Sequence, residues 1–286
     1  MKLDGKEIAN SILSNLKQRV KALRSKGIIP TLLIILVGDN EQSLIYIRQK
    51  ELKAKEIGAR TEVLTLSEST TFDEAKSLVT KLNSDPQVQA IIIQRPAPES
   101  LRVEELSKLI DPEKEIDGFG KNSFYKVPVA EATEILIKNA FEQMNTSQDF
   151  NLWIKKQKIV VTGKGETAGR PVIQHLKNLG SEPTIIDSKT EDPKTITKKA
   201  DILISAVGKD RVVTADMVKK GAILIGVGLH TDEEGKLRGD FHRDEIAEIV
   251  SFYSPTPGGV GPVNVACLMR NLVKAAEKGM ATTLPK

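Results

Sequence analysis

Short apolar runs of strand length recur along this chain, each followed by a turn-rich break and a stretch with apolar residues at helical spacing. In the first half the runs fall near 31–37, 60–66 and 88–94, and helical stretches cover Ile12 to Leu23, 43–57 and 72–83. In the second half Lys158 to Thr162, Glu182 to Asp187, Asp201 to Val207 and Ala222 to Val227 repeat the pattern. Alternation of this kind predicts parallel sheets flanked by helices, an α/β fold. At 286 residues the chain can bury a substantial core and hold two domains. Glu131 to Ala140, of helical period and polar on one side, reads as a tether between them.

Bulk properties narrow the classes. There is no run of about eighteen apolar residues, so no membrane span is expected. The opening Met-Lys-Leu-Asp-Gly-Lys lacks the apolar segment of a secretory signal. The single Cys267 allows no internal disulfide, which suits a reducing cytoplasm. His175, His230 and His242 are scattered without metal-ligand spacing, and no metal is expected. A net charge of +4 with acids and bases interleaved, and 4% aromatics, gives no nucleic-acid footprint.

Three segments carry candidate chemistry. Ser254 to Asn264 packs three prolines and three glycines into eleven residues and then launches a helix-period stretch, with Pro262 suited to its first turn. Gly258, Gly259 and Gly261 leave a backbone wall that suits a flat or anionic ligand, although a plain structural turn has the same composition. Second, the strand-like Lys158 to Thr162 runs into Gly163-Lys-Gly165-Glu-Thr-Ala-Gly169 and then a helical stretch. This is the context of a dinucleotide-binding turn, one residue longer than the standard spacing, with Asp187 about twenty residues on, where a ribose contact is expected. Third, the run Thr31 to Val37 leads into a helix carrying Tyr46 and Lys50 on one face. That pair offers a stacking ring beside a proton-transfer group; an amphipathic helix with a packed tyrosine and a solvated lysine fits the same spacing.

Taken together, these residues resemble the bifunctional methylenetetrahydrofolate dehydrogenase/cyclohydrolase family. Ser43-x-x-Tyr46-x-x-x-Lys50 is similar to the family's substrate signature, and Gln94-Arg-Pro96-Ala-Pro98 to its Gln-Leu-Pro-Leu-Pro loop. Lys114-Glu-Ile-Asp117-Gly118-Phe119 matches its Lys-Asp-Val-Asp-Gly-Phe segment, and Pro255 to Pro262 its Pro-x-Pro-Gly-Gly-Val-Gly-Pro loop. The resemblance implies a folate-binding domain of residues 1–125 plus 263–286, with the C-terminal helix returning to it. It implies a Rossmann-like NAD(P)-binding domain with a parallel sheet over 126–262, and a cytoplasmic homodimer acting on tetrahydrofolate derivatives.

Carried over residue by residue, the resemblance makes Lys50 the acid–base group of hydrolysis, held by Gln94, with Tyr46 lining the folate rings. It makes Asp117 the pterin anchor, with Pro257, Gly258 and Gly259 beside the substrate. Cofactor contacts are implied for Gly163, Lys164, Gly165, Gly169, Asp187, Ser188, Lys189, Val207, Gly208, Val227 and Gly228. The chain departs from the family's pattern at Ala130, Lys164, Gly165, Asp187, Gly226 and Asn264, mostly around the cofactor. NADP is the expected cofactor and NAD the alternative, since Asp187 would bond a ribose hydroxyl while Lys164, Ser188 and Lys189 favour a phosphate. Family members altered to prefer NAD or to retain only the cyclohydrolase step, and a non-catalytic nucleotide sensor, are the competing readings.

Overall fold

The computed structural model describes residues 1–120 and 122–283. The first part of the chain forms α1 (Gly5–Arg24), β1 (Thr31–Val37), α2 (Glu41–Ile57), β2 (Arg60–Leu66), α3 (Phe72–Asn83), β3 (Ala90–Ile93) and α4 (Val103–Ser107). The middle adds α5 (Pro128–Gln143), α6 (Phe150–Ile154), β4 (Ile159–Thr162), α7 (Gly169–Asn178), β5 (Thr184–Ile186), α8 (Pro193–Thr197) and β6 (Ile202–Ser205). It closes with β7 (Ile223–Gly226), β8 (Leu229–Thr231), β9 (Leu237–Gly239), α9 (Arg243–Ile246), β10 (Phe252–Tyr253) and α10 (Val260–Thr283).

The chain divides into two compact units, one of Asn10–Pro128 with α10 from Val265 onward, the other of Met1–Ala9 with Val129–Asn264. In the first unit β2, β1 and β3 form a parallel sheet in the order β2-β1-β3. Every residue of β1 and β3 is buried, as a parallel strand covered on both faces requires. Leu33, Ile35, Ile91 and Ile93 pack with Val79 of α3 and Leu106 of α4 in one core. Local chemistry sets the helix ends. The Asn40 side chain accepts the Ser43 N–H at the start of α2, Gly58 closes it in the left-handed region, and Thr71 with Glu74 forms a capping box on α3. Helix α10 is tied to α1 by Arg19, whose Nε and Nη2 donate to the two oxygens of Glu277 at 2.8 and 2.6 Å.

The second unit is a five-stranded parallel sheet in the order β10-β7-β6-β4-β5, with a small antiparallel β8–β9 pair. Its strands β4, β6 and β7 are wholly buried. Residues 1–9, grouped in sequence with the first domain, cluster by contact with this unit. The reason is local: Leu3 donates its N–H to the Tyr253 carbonyl (2.8 Å) and Tyr253 donates to that of Met1 (3.0 Å), extending the sheet beyond β10. Helices α5 and α10 run longer than their periodic cores, α10 beginning at Val260 so that Pro262 sits in its first turn.

Sheet order fixes where ligands can approach. Because β5 and β6 flank β4 on opposite sides, the connections leaving β4 and β6 diverge, and the crevice outside their carboxyl ends is the switch point of the sheet. The first unit repeats this arrangement at β1 and β3. At the second-unit switch point, a Cβ on Gly169 would lie 2.3 Å from the Gly163 carbonyl oxygen. Gly169→Ala is therefore expected to lower unfolding stability by about 1–3 kcal/mol in urea titrations; an unchanged midpoint would show that the turn relaxes freely.

Candidate functional site

In the first unit the switch point gathers the lysine cluster. Tyr46 and Lys50 stand one turn apart on α2, which leaves β1 through a turn at Gly38 with φ +75°. Gln94 follows β3 directly and donates its main-chain N–H to Ile35 of β1 (2.8 Å), so sheet pairing aims its side chain. Lys50 Nζ donates to Gln94 Oε1 at 2.9 Å, and Gln94 Nε2 donates to the Arg95 carbonyl at 2.7 Å. The second bond fixes the carboxamide with its oxygen toward the ammonium. Burial lowers the Lys50 pKa, and the Asp117 charge opposes that. Burial raises the Asp117 pKa, opposed by Lys50 and Arg95. Burial also raises that of Tyr46, whose ring is nevertheless 38% exposed and free to meet a ligand. The Ser43 hydroxyl, on the same face of α2, is buried without a hydrogen-bond partner. An unfilled hydroxyl and an open ring beside a desolvated lysine make a site built for a polar, aromatic ligand.

Asp117 sits on a turn that requires glycine at the next position. Gly118 has φ +76°, and a Cβ there would lie 2.7 Å from the Val127 nitrogen. From α10, Asn271 Nδ2 donates to the carbonyls of Ile116 (2.9 Å) and Lys126 (3.1 Å), closing the loop around Asp117. Inside it, the buried Glu115 carboxylate accepts the N–H groups of Phe119 (3.3 Å) and Gly120 (3.1 Å). Burial first, and the Asp117 charge second, push the Glu115 pKa up to about 7. Sequence assigned no role to Glu115 or Asn271, because the carbonyls and amides that bury their side chains are not visible from spacing.

The second-unit switch point has the geometry of a dinucleotide turn. Gly163 has φ +87° and would place a Cβ 2.5 Å from the Ala206 carbonyl oxygen, whereas Gly165 faces open space. Val207 and Gly208 lie on the adjacent turn after β6. The N–H groups of Val207, Gly208 and Lys209 all donate to the Asp240 carboxylate, at 2.9, 2.7 and 3.0 Å. The Ser205 hydroxyl adds a fourth bond at 2.6 Å and itself accepts from Thr162 at 3.0 Å. Gly228, after Val227, is glycine because a Cβ would lie 2.3 Å from that carboxylate. Sequence missed Asp240; it lies immediately after β9, outside any recognisable motif, and shapes the turn as a fixed internal anion.

At the end of β5, Asp187 is neutralised locally. Lys164 Nζ reaches it at 2.7 Å, and its Oδ1 accepts the Lys189 N–H (3.0 Å) and the Thr190 hydroxyl (3.3 Å). Lys164 holds its carboxyl below the usual range. Sequence counted Lys164 and Asp187 as opponents for a cofactor phosphate; they are partners, leaving exposed Ser188 and Lys189 beside them.

The proline–glycine loop follows β10 in this unit. Gly258 has φ +107°, and Gly259 packs so tightly that a Cβ would lie 2.6 Å from the Pro255 carbonyl oxygen, while Pro257 is exposed. Gly226 also has a packing reason, since a Cβ there would lie 2.8 Å from the Phe241 ring; its N–H donates to the Ser254 hydroxyl at 2.8 Å. Ala130 is buried in the first turn of α5, behind Pro128.

A parallel sheet with a glycine turn at its switch point defines a dinucleotide-binding α/β protein, here joined to a unit carrying a desolvated lysine. The family model for the tetrahydrofolate dehydrogenase/cyclohydrolase catalytic domain matches residues 3–117, and that for its NAD(P)-binding domain residues 140–280. A bifunctional protein FolD of Lactococcus lactis is 36% identical over 97% of both chains. The crystal structure of a FolD methylenetetrahydrofolate dehydrogenase/cyclohydrolase from Campylobacter jejuni superposes with a TM-score of 0.89, at 32% identity over 97% of this chain and 99% of that one. A Trypanosoma brucei FolD, complexed with NADP and an inhibitor, gives 0.87 at 28% identity over 98% of each chain. The chain belongs to the tetrahydrofolate dehydrogenase/cyclohydrolase family.

Glu115 gives a pH test of the site. Its folded pKa of about 7 exceeds the ordinary 4.5, so between these values the folded state holds the extra proton. Stability therefore falls as pH rises through this window, by roughly 3 kcal/mol in all. In urea unfolding, Glu115→Gln should gain on the parent by that order between pH 5 and pH 8; a pH-independent difference between the two would contradict the assignment.

Proposed function

We propose that this protein oxidises 5,10-methylenetetrahydrofolate to the methenyl cation with NADP and hydrolyses that cation to 10-formyltetrahydrofolate. The observation that carries the reading is the hydrogen bond of Lys50 to an oriented Gln94, with Asp117 as the opposing charge. Tyr46 offers its ring to the folate, and Asp117 accepts N–H donors of the pterin. The turn at Gly163 to Gly169 suits a dinucleotide, because Gly165 leaves the approach open and α7 begins at Gly169, where its N-terminal amides would receive a pyrophosphate. A dinucleotide held by this turn would supply the hydride acceptor. Pro257, Gly258 and Gly259 are assigned to the substrate side of the second unit.

Hydrolysis makes the stronger demand on the chain. Water attacking the methenyl carbon gives up two protons in becoming the formyl oxygen: the first is removed at attack and handed to the departing ring nitrogen, and the second leaves to solvent as the cation becomes neutral. Lys50, with its pKa lowered by burial, takes up the first as an amine and returns it as an ammonium. Gln94 keeps the Lys50 nitrogen on one line between the two transfers. The preference for NADP is supported by the Lys164–Asp187 pair, which offsets the acid that would repel a 2′-phosphate and leaves Lys189 to attract it.

Formation of methenyltetrahydrofolate, followed by its absorbance with each cofactor in turn, tests the reading. A higher kcat/KM with NADP than with NAD is expected, and Lys50→Met should abolish hydrolysis while retaining measurable hydride transfer. No turnover with either cofactor would support a nucleotide sensor; a preference for NAD would make Asp187 the controlling residue; unchanged hydrolysis in Lys50→Met would remove that lysine from the mechanism.

We place the protein in the cytoplasm as a homodimer, a reading supported by its lone buried Cys267 and by the open edge of the first-unit sheet. No helix among the described residues is long and apolar enough to cross a membrane. The β3 edge is covered by a bridge from Ile91 to Glu115, but among the described residues no strand pairs with the outer edge of β2, where Val63 and Leu64 are exposed. Pairing of two β2 edges about a two-fold axis would satisfy both. Sedimentation should give a dimer that Leu64→Arg dissociates; a monomeric parent would exclude this association.

A further inference from the structure

The loop that carries Asp117 is organised around a carboxylate with no place in the mechanism above. Glu115 reaches it as an isolated bridge partner of Ile91 in β3, and its two oxygens each receive a different amide. Phe119, one of those donors, carries the Arg95 guanidinium over its ring at 5.4 Å from the centroid. The Ser123 hydroxyl donates to the Glu115 carbonyl (3.1 Å), so backbone and side chain of one residue gather the turn from both ends. Among the described residues the carboxylate is the one acceptor of those two amides.

We propose that Glu115 is a positioning residue for the folate substrate: its ionised carboxylate, by accepting the Phe119 and Gly120 amides, holds the Asp117 turn in the geometry that receives the ligand. The proposal rests on the reading of Asp117 as the folate anchor. Accepting one amide at each oxygen suits the ionised form, whereas burial and the neighbouring Asp117 charge favour the neutral one. Among the described residues, these charged groups surround it. Asp117 is on the same loop and Tyr125 on the segment that follows; Lys50 from α2 and Arg95 after β3 act on it through Asp117. From β3 and α10 the neighbours Ile91 and Asn271 are uncharged, and Lys114 turns away to the carbonyls of Leu82 and Asp85.

A folate whose N–H groups bond Asp117 relieves the repulsion that Asp117 exerts on Glu115. Binding then favours ionised Glu115 and releases a proton, so by linkage folate affinity rises with pH across neutrality. The cofactor has no share in this coupling.

The test is steady-state dehydrogenase kinetics from pH 6 to 8.5 on the full-length parent and Glu115→Gln. For the parent, KM for 5,10-methylenetetrahydrofolate should fall several-fold through pH 7 while KM for NADP stays level. In Glu115→Gln the folate KM should be about ten-fold higher at pH 8 and lose that pH dependence, with the NADP KM unchanged as the sign of an intact fold. A parent folate KM that is flat with pH overturns the proposal without recourse to any variant. So does a variant that keeps the parent's folate KM and pH profile. A parent with no turnover at all would instead sink the enzymatic reading on which this one rests.

Discussion

An ammonium partly withdrawn from water must be compensated, and the first unit is organised around that requirement. Lys50 loses hydration where α2 passes the end of β3, and the loss is met by one fixed carboxamide oxygen and one carboxylate. Each compensator needs its own support. Gln94 is oriented by the Arg95 carbonyl; Asp117 is held by a turn that Glu115 fastens from within and Asn271 from α10. The parallel pairing of β1 with β3 is what brings these supports to one place, so register in the sheet is a condition of the chemistry.

The second unit solves a different problem with similar means. A turn that presents backbone N–H groups to a nucleotide must also satisfy those that the nucleotide does not reach. At the β6 turn Asp240 takes three consecutive amides and a hydroxyl, which makes the turn rigid and dictates glycine at position 228. The β4 turn stays open at Gly165, where no side chain or backbone fills the space. One turn is closed by the protein and the other is open at Gly165.

Much of this was legible in the sequence. The strands at Thr31–Val37 and Arg60–Leu66 and the helix at Phe72–Asn83 follow from apolar period and caps that act within a few residues. Tyr46, Lys50 and the glycine turn were legible because their spacing is local. What sequence could not show depends on distant partners. Residues 1–9 join the second unit through Tyr253, some 250 positions away by the Met1–Ser251 separation. Lys164 and Asp187 read as competitors until their side chains were found paired. Glu115 and Asp240 carried no assigned role in the sequence, since burial of a carboxylate is decided by amides that turns and other segments supply.

The central claim is that Lys50 is a desolvated proton carrier whose charge is balanced by Asp117. Direct titration of the Lys50 ammonium by nitrogen-15 NMR, in the parent and in Asp117→Asn, tests it most directly. The account predicts a midpoint below the ordinary 10.5 in the parent and a still lower one when the opposing charge is removed. A midpoint at the ordinary value, or one that does not move in Asp117→Asn, would contradict it.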